Sequence, residues 1–277
     1  MRVLLACLFT VVSCLTVEES IAQDTNLIEL SRTSGVKLIS RSESSSGSGA
    51  FIGDQYVLTC FHVVASWSVQ GSTTDIKIFP DLQVVLPSGE TIDGTVVSVP
   101  TNDDPNPLQY DFAIVKLKHK PTNSFSKLQL AMMKESLMVG DDVVFSGYPL
   151  ATPGMVTHRG MVSGFDNSST LIFIQASINK GNSGGALLNS QGHIVGVVSM
   201  REGGISQGLD ELQAYIKKTY IDKTSPKIRL KLMNVDPLQA TNAIIQTLDR
   251  YISTGIGYAH SIKFAREYLE RNPELLR

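Results

Sequence analysis

The sequence predicts an all-β domain, an antiparallel barrel or sandwich, with helices confined to its C-terminal part. Two patterns carry this expectation. Between residues 36 and 199 the chain is a succession of short β-type runs cut by turn residues, about a dozen of them, with few helical patterns between. Past Gly203 the apolar spacing switches to that of a helix face. A parallel sheet would need strands alternating with crossover helices, and that alternation is missing.

The β-type runs fall at 36–39, 49–52, 56–59, 76–79, 84–86, 95–99, 112–117, 143–146, 161–164, 171–175, 186–188 and 194–199. Most are rich in β-branched and aromatic residues, which pack well on a pleated surface. Turn chemistry separates them at Ser42-Glu43-Ser44-Ser45-Ser46-Gly47, at Pro87-Ser88-Gly89, and over 102–107, 148–154 and 189–192. A short turn of helix is expected at His62-Val63-Val64-Ala65. Farther on, Leu209, Leu212, Ile216 and Tyr220 share one helical face, as do Ile244, Ile245, Leu248, Tyr251 and Ile252, with Pro226 and Pro237 breaking the stretch between. A last stripe of Ile262, Ala265, Tyr268 and Leu269 predicts a C-terminal helix ending near Asn272-Pro273, because the residue before a proline is pushed out of the helical region.

Composition narrows the function classes. Of 277 residues, 42% are hydrophobic and 18% charged, which excludes intrinsic disorder. The 24 basic and 26 acidic residues leave a net charge of −2, so neither nucleic acid nor an anionic membrane is an expected partner. The first 22 residues read as a leader: Arg2, an uncharged run over 3–17, then Ser20-Ile21-Ala22, a small-x-small cleavage pattern. The apolar run falls short of the roughly 20 residues a membrane span needs, so export to the periplasm or the exterior is expected, with cleavage after Ala22. A lipoprotein alternative remains, because Val11-Val12-Ser13-Cys14 is a loose lipobox in which Cys14 would carry a lipid anchor. Cleavage after Ala22 would leave Cys60 alone of the 3 cysteines, so no intrachain disulfide is expected. With no Cys-x-x-Cys pair and no His-Glu-x-x-His, neither a structural nor a catalytic zinc is expected.

The sharpest local signal is Gly181-Asn182-Ser183-Gly184-Gly185 between two strand-like runs. A serine that attacks a carbonyl needs backbone N–H groups aimed at the developing oxyanion, and glycines permit both the tight turn and the close approach. Ser183 is the candidate nucleophile, with the N–H groups of the Gly181-Asn182-Ser183 segment, those of Gly181 and Ser183 above all, as the oxyanion hole. A structural Gly/Ser hairpin fits the pentapeptide alone equally well. A serine also needs a base and a carboxylate to orient it. His62 follows a strand-like run, whereas His119, His158, His193 and His260 sit in loop or helix text. Asp111 directly precedes the buried-strand pattern Phe112-Ala113-Ile114-Val115-Lys116-Leu117. His62, Asp111 and Ser183 thus stand in the order His, Asp, Ser found in one class of serine protease.

With those residues in hand, the chain resembles the trypsin-like serine proteases, and within them the HtrA/Deg family. Gly47-Ser48-Gly49-Ala50-Phe51-Ile52 and Tyr56-Val57-Leu58-Thr59-Cys60-Phe61-His62-Val63-Val64 are similar to that family's first strand and histidine strand, and Asp111 to Leu117 to its aspartate strand. Gly147-Tyr148-Pro149 and Gly160-Met161-Val162-Ser163 are similar to its loop before the active site. Gln175 through Asn189 matches its serine motif nearly end to end, and Gly255-Ile256-Gly257-Tyr258-Ala259 its last strand.

The resemblance implies a chymotrypsin-like fold: two six-stranded antiparallel β-barrels over residues 23–277, a C-terminal helix at about 260–272, and a helical insertion at 203–252 where the family has a short loop. It implies an exported serine endopeptidase acting on proteins or peptides, in envelope protein quality control, with no metal and no organic cofactor. A noncatalytic binding or chaperone-like module on the same fold is the alternative. It also places Ser177, Ile178 and Asn179 along the primary pocket and Ser199, Met200 and Arg201 on the strand that pairs with extended substrate. No aspartate is expected at the pocket base, so small to medium apolar residues are expected before the cut, unless Arg201 turns inward and favours acidic ones. Two departures stand out: the chain stops at Arg277 without the family's PDZ domains, and the insertion's apolar stripe must bury itself on the barrel or on another subunit of a homo-oligomer. Cys60, two residues before His62, invites a redox reading, against that of a small buried hydrophobe.

Overall fold

The computed structural model describes residues 25–70, 73–99, 110–133, 135, 137–150, 152–201, 212, 215–216, 237–251 and 255–276. The leader lies outside them, and so does most of the 203–252 insertion. Antiparallel strands close into two six-stranded barrels. The first runs β1 (Gly35–Ser40), β2 (Ser45–Phe51), β3 (Tyr56–Thr59), β8 (Ala113–Leu117), β7 (Thr91–Ser98) and β6 (Leu82–Val85). The second runs β10 (Val156–Phe165), β11 (Leu171–Gln175), β14 (Ile256–Ser261), β13 (Ile194–Arg201), β12 (Ala186–Leu188) and β9 (Asp142–Gly147). Barrel closure leaves no unpaired sheet edge, which settles the choice between barrel and sandwich.

Three segments depart from the sequence expectation. A helix, α1, covers residues 25–34 and joins the second barrel through Ser31 Oγ, which donates to Ser146 Oγ at 2.8 Å. Its short polar residues hid it, because Ser and Thr have weak helix propensity. The run at 76–79 belongs to a hairpin outside both barrels, β4 (Ala65–Gln70) with β5 (Thr73–Ile78), laid beside α2 (Phe61–Val64) by the Trp67 ring 5.5 Å from Phe61. The third departure is the polar run at 42–47, expected as a turn. Only 41–44 turn, and Ser45 already begins β2. The lack of bulky side chains there is steric: a Cβ on Gly47 would lie 2.5 Å from Val63 Cγ2 and 2.9 Å from the Ser183 carbonyl oxygen.

One apolar core fills the first barrel and continues across the seam into Ala186, Leu188, Ile194 and Val197 of the second. A smaller core, including Phe145, Val162, Ile174 and Leu187, fills the rest of the second barrel. The expected C-terminal helix is α4 (Lys263–Arg271), whose Ala265 and Leu269 are buried in the larger core beside Ile262. Its aromatic face clamps the segment that leads into β8: Phe264 meets Tyr110 edge-on at 4.1 Å, and Tyr268 lies 6.2 Å from Phe112. Of the two expected insertion helices, α3 (Pro237–Tyr251) is described, with Ile245 buried and Ile244 exposed. In the earlier one, Leu212, Tyr215 and Ile216 are helical, and Ile216 is buried. Leu209, Tyr220 and Ile252, and the side chains of Leu248 and Tyr251, lie outside the described residues.

Candidate active site

Strand register brings the histidine and the carboxylate together. Antiparallel β3 and β8 pair Thr59 with Ala113, so the chain leaving β3 and the chain entering β8 are neighbours at one end of the first barrel. His62 is three residues past Thr59 and Asp111 two before Ala113. The His62 N–H donates to Asp111 Oδ1 at 3.2 Å, and its ring Nδ1 lies 3.1 and 2.9 Å from the two carboxylate oxygens. Asp111 has no solvent exposure. Burial opposes its charge, but hydrogen bonds from His62 and Ser199 and the nearby His62 charge outweigh that, holding the carboxyl below the usual carboxylate range.

Ser183 arrives from the second barrel on a turn that only glycines allow. Asn182 N–H bonds to Asn179 O at 3.0 Å, with Gly181 in the left-handed region at φ 98°. A Cβ there would stand 2.3 Å from the Tyr148 carbonyl oxygen. Gly184, at φ 93°, is tighter still, its Cβ position 1.9 Å from Ser48 O. The turn also orients its peptides. Lys180 C=O accepts from Leu150 N–H at 2.9 Å, and in a trans peptide the Gly181 N–H points the opposite way. Among the described residues no acceptor engages the N–H of Gly181 or of Ser183. The N–H of Asn182, also expected in the oxyanion hole, is instead spent on the turn.

Ser199 occupies the junction. The pairing of β13 with β14 shifts register between Val198 and Met200, so Ser199 is the extra residue of a β-bulge. Bulges re-aim side chains next to active sites. Here the Ser199 Oγ donates to Asp111 Oδ2 at 2.5 Å, while its carbonyl accepts the Ser183 hydroxyl at 2.5 Å. Among the described residues no hydrogen bond joins Ser183 Oγ to His62. The sequence reading assigned Ser199 to substrate pairing alone; a serine at the end of an apolar strand carries no sign of a bulge.

A cleft of about 430 Å³ runs between the barrels and is lined by His62, Ser183 and Ser199 together with Leu150, Ile178 and Asn179. Ser177, expected in the primary pocket, is exposed and outside this lining. Ile178 and Asn179, expected there too, do line it, and Ile178 is 2% exposed and packs over Gly257, where a Cβ would meet its Cδ1 at 2.2 Å. Met200 and Arg201 pair with Tyr258 and Gly257 in β13, and their side chains lie outside the described residues.

The remaining histidines separate clearly. His193 pairs with Glu135 at 2.7 Å, and His158, in β10 rather than a loop, stacks on Phe145 at 4.8 Å. His119 is exposed. His260 is a correction, for it is buried in β14 with Nε2 4.0 Å from Asp111 Oδ2. Extending the expected last strand past Ala259 by one residue would have found it. Cys60 has no solvent exposure and donates to Val198 O at 3.2 Å. Burial, and then the charge of Asp111, push its thiol well above the usual range. One ligand atom each from Cys60, His62 and Asp111 lies within 4.8 Å of the others. Chemically, the cleft holds a carboxylate-bound imidazole, a hydroxyl and two free N–H donors, the groups required for acyl transfer.

Residues 47–197 match the trypsin-like peptidase domain family. The chain belongs to this family. Among curated proteins it is 35% identical over 186 residues to the putative protease Do-like 14 of Arabidopsis thaliana, covering 63% of this chain and 40% of that protein. It is 34% identical over 160 residues to the periplasmic serine endoprotease DegP of Salmonella typhimurium, covering 54% of this chain and 29% of that one. The chain thus spans about two fifths or less of the length of these relatives. Of solved structures, the serine endoprotease from Yersinia pestis superposes with a TM-score of 0.55 at 21% identity, over 91% of this chain and 66% of that one, a likeness of fold.

Proposed function

We propose that this trypsin-like peptidase chain is an exported serine endopeptidase in which Ser183 attacks the peptide carbonyl. His62 takes the hydroxyl proton and later gives it to the leaving amine. Asp111 fixes the imidazole with its proton on Nδ1 and stabilises the imidazolium that forms. The observation that carries the reading is the pair of N–H groups on Gly181 and Ser183, unengaged among the described residues and aimed outward because Leu150 N–H ties back the Lys180 carbonyl and Gly185 N–H, at 3.0 Å, the Asn182 carbonyl. A substrate oxygen seated between them gains charge in the tetrahedral intermediate, and preformed donors there act without reorganising.

Before attack the Ser183 hydroxyl leaves the Ser199 carbonyl and turns to His62 Nε2, a side-chain rotation that the glycine-framed backbone does not oppose. Ile178 lines the cleft with an apolar surface, which supports cleavage after small to medium apolar residues. The resemblance to a periplasmic endoprotease and the leader-like first 22 residues both support export.

The hydroxyl's engagement with Ser199 is the one observation that favours a noncatalytic, peptide-binding module. A serine-directed fluorophosphonate separates the two. Covalent labelling lost in Ser183→Ala supports the peptidase, whereas no labelling of folded wild-type protein leaves the binding module.

A further inference from the structure

Cys60 stands beside the His62 and Asp111 pair, where the peptidase reading gives it no task. It is fully buried, one residue before α2, and its sulfur shares a 4.8 Å neighbourhood with a carboxylate oxygen and an imidazole nitrogen. A thiolate, an imidazole and a carboxylate form a donor set that suits zinc and its softer congener cadmium. We propose that Cys60, His62 and Asp111 form an inhibitory site for a single divalent cation of this class, closing the triad reversibly; the inhibitory part rests on the peptidase reading.

Charge balance favours a divalent ion. A Cys60 thiolate and the Asp111 carboxylate would place two negative charges close together in one dry space, since both residues are fully buried. A cation of charge two neutralises both and leaves the buried cluster without net charge. Size agrees as well. Tetrahedral zinc with bonds of about 2.0–2.3 Å holds its ligand atoms roughly 3.3–3.6 Å apart. The Nδ1 to Oδ2 distance of 2.9 Å must open slightly to admit the ion, and the sulfur lies no more than 4.8 Å from an imidazole nitrogen and a carboxylate oxygen. Entry runs through the cleft, because the His62 ring is 32% exposed and stands between the cleft and a fully buried carboxylate.

Proton bookkeeping gives the inhibition. On binding, the Cys60 S–H bond breaks and its proton leaves to water as the sulfur–metal bond forms. The His62 proton moves from Nδ1, which takes the metal, to Nε2. The nitrogen that must accept the Ser183 proton then already holds one. No oxidant or reductant is involved. Motif spacing could not reveal this site, since His62 and Asp111 lie 49 residues apart and belong to a triad.

Cadmium is the probe, added as the free ion to the full chain, and binding is read without reference to activity. A thiolate-to-cadmium charge-transfer band in the ultraviolet is expected in wild type and is expected to fall by one thiolate in Cys60→Ala and in Cys60→Ser. Cys7 and Cys14 contribute alike to every variant, so the Cys60-dependent part is the measure. Zinc and cadmium are both expected to inhibit peptide hydrolysis, with the half-inhibiting concentration rising at least about 100-fold in the Cys60 variants, given that even an outer partner of a ligand is worth about 10–100-fold. Equal inhibition of wild type and a folded Cys60 variant, or a band independent of Cys60, overturns the proposal. If one variant fails to fold, the other carries the comparison. A Cys60-dependent band in a protein that no fluorophosphonate labels would sink the peptidase reading and leave the metal site standing.

Discussion

Ser199 Oγ and Asp111 Oδ2 are 2.5 Å apart, and the carbonyl of the same serine holds the Ser183 hydroxyl. One bulged residue therefore touches both barrels' contributions to the site. Ser199→Ala removes only the first contact, because the carbonyl belongs to the backbone. His62 still supplies two hydrogen bonds to the carboxylate, so kcat/KM on a peptide substrate is expected to fall by no more than about tenfold, one hydrogen bond's worth. A loss of several thousandfold would mean that Ser199 does more than steady Asp111.

Ser183→Ala and His62→Ala are each expected to lower kcat by about 10⁴ or more without changing the melting temperature by more than a few degrees, with Asp111→Asn somewhat less damaging. Hydrolysis assays paired with thermal melts check this. Substantial amidase activity in Ser183→Ala would remove it from the nucleophile's role.

Gly181→Ala tests the oxyanion turn. The added methyl would collide with the Tyr148 carbonyl and oppose φ 98°, so the turn must shift and carry its N–H with it. A loss of about 10²–10³ in kcat with little change in KM is expected.

Asp111 also predicts the acid side of the stability curve. Its folded-state pKa lies below its unfolded value of about 3.9, so its stabilising contribution is complete above that pH and is lost as pH falls below it. The stability gap between wild type and Asp111→Asn is therefore expected to narrow as pH is lowered from about 5 toward 2. Carboxylates far from the triad such as the partly exposed Glu90, held at about 2 chiefly by Thr122 N–H, titrate alike in both proteins and cancel in the difference. A gap that widens in acid would contradict the assignment.

Phe264→Ala loosens the clamp on the chain entering β8. It removes an edge-on partner of Tyr110, the residue before Asp111, and a loss of about 1–3 kcal/mol in stability is expected. A drop in kcat beyond that of an equally destabilised variant elsewhere in α4 would tie the helix to the carboxylate's position.

Much of this architecture was legible because local chemistry and tertiary role agree. The runs at 56–59, 171–175 and 186–188 coincide with β3, β11 and β12, since short apolar runs bounded by turn residues have few other uses. The stripe from Ile262 to Leu269 is amphipathic and folds as α4. The spacing of glycines around Ser183 identified the turn because φ values near 98° and 93° admit little else.

What the chain order could not carry lies where segments distant in sequence meet. The sequence by itself determined the β-rich class, the C-terminal helix, and His62, Asp111 and Ser183 as candidate partners, because those rest on residue type and periodicity. Only the tertiary structure decided that Ser199 bridges Asp111 and Ser183, that Ser177 lies outside the cleft lining, and that His260 lies against the carboxylate. The physical reason is common to all three. Each depends on register, a bulge or a close approach between strands, and these follow from packing against partners that no local pattern names.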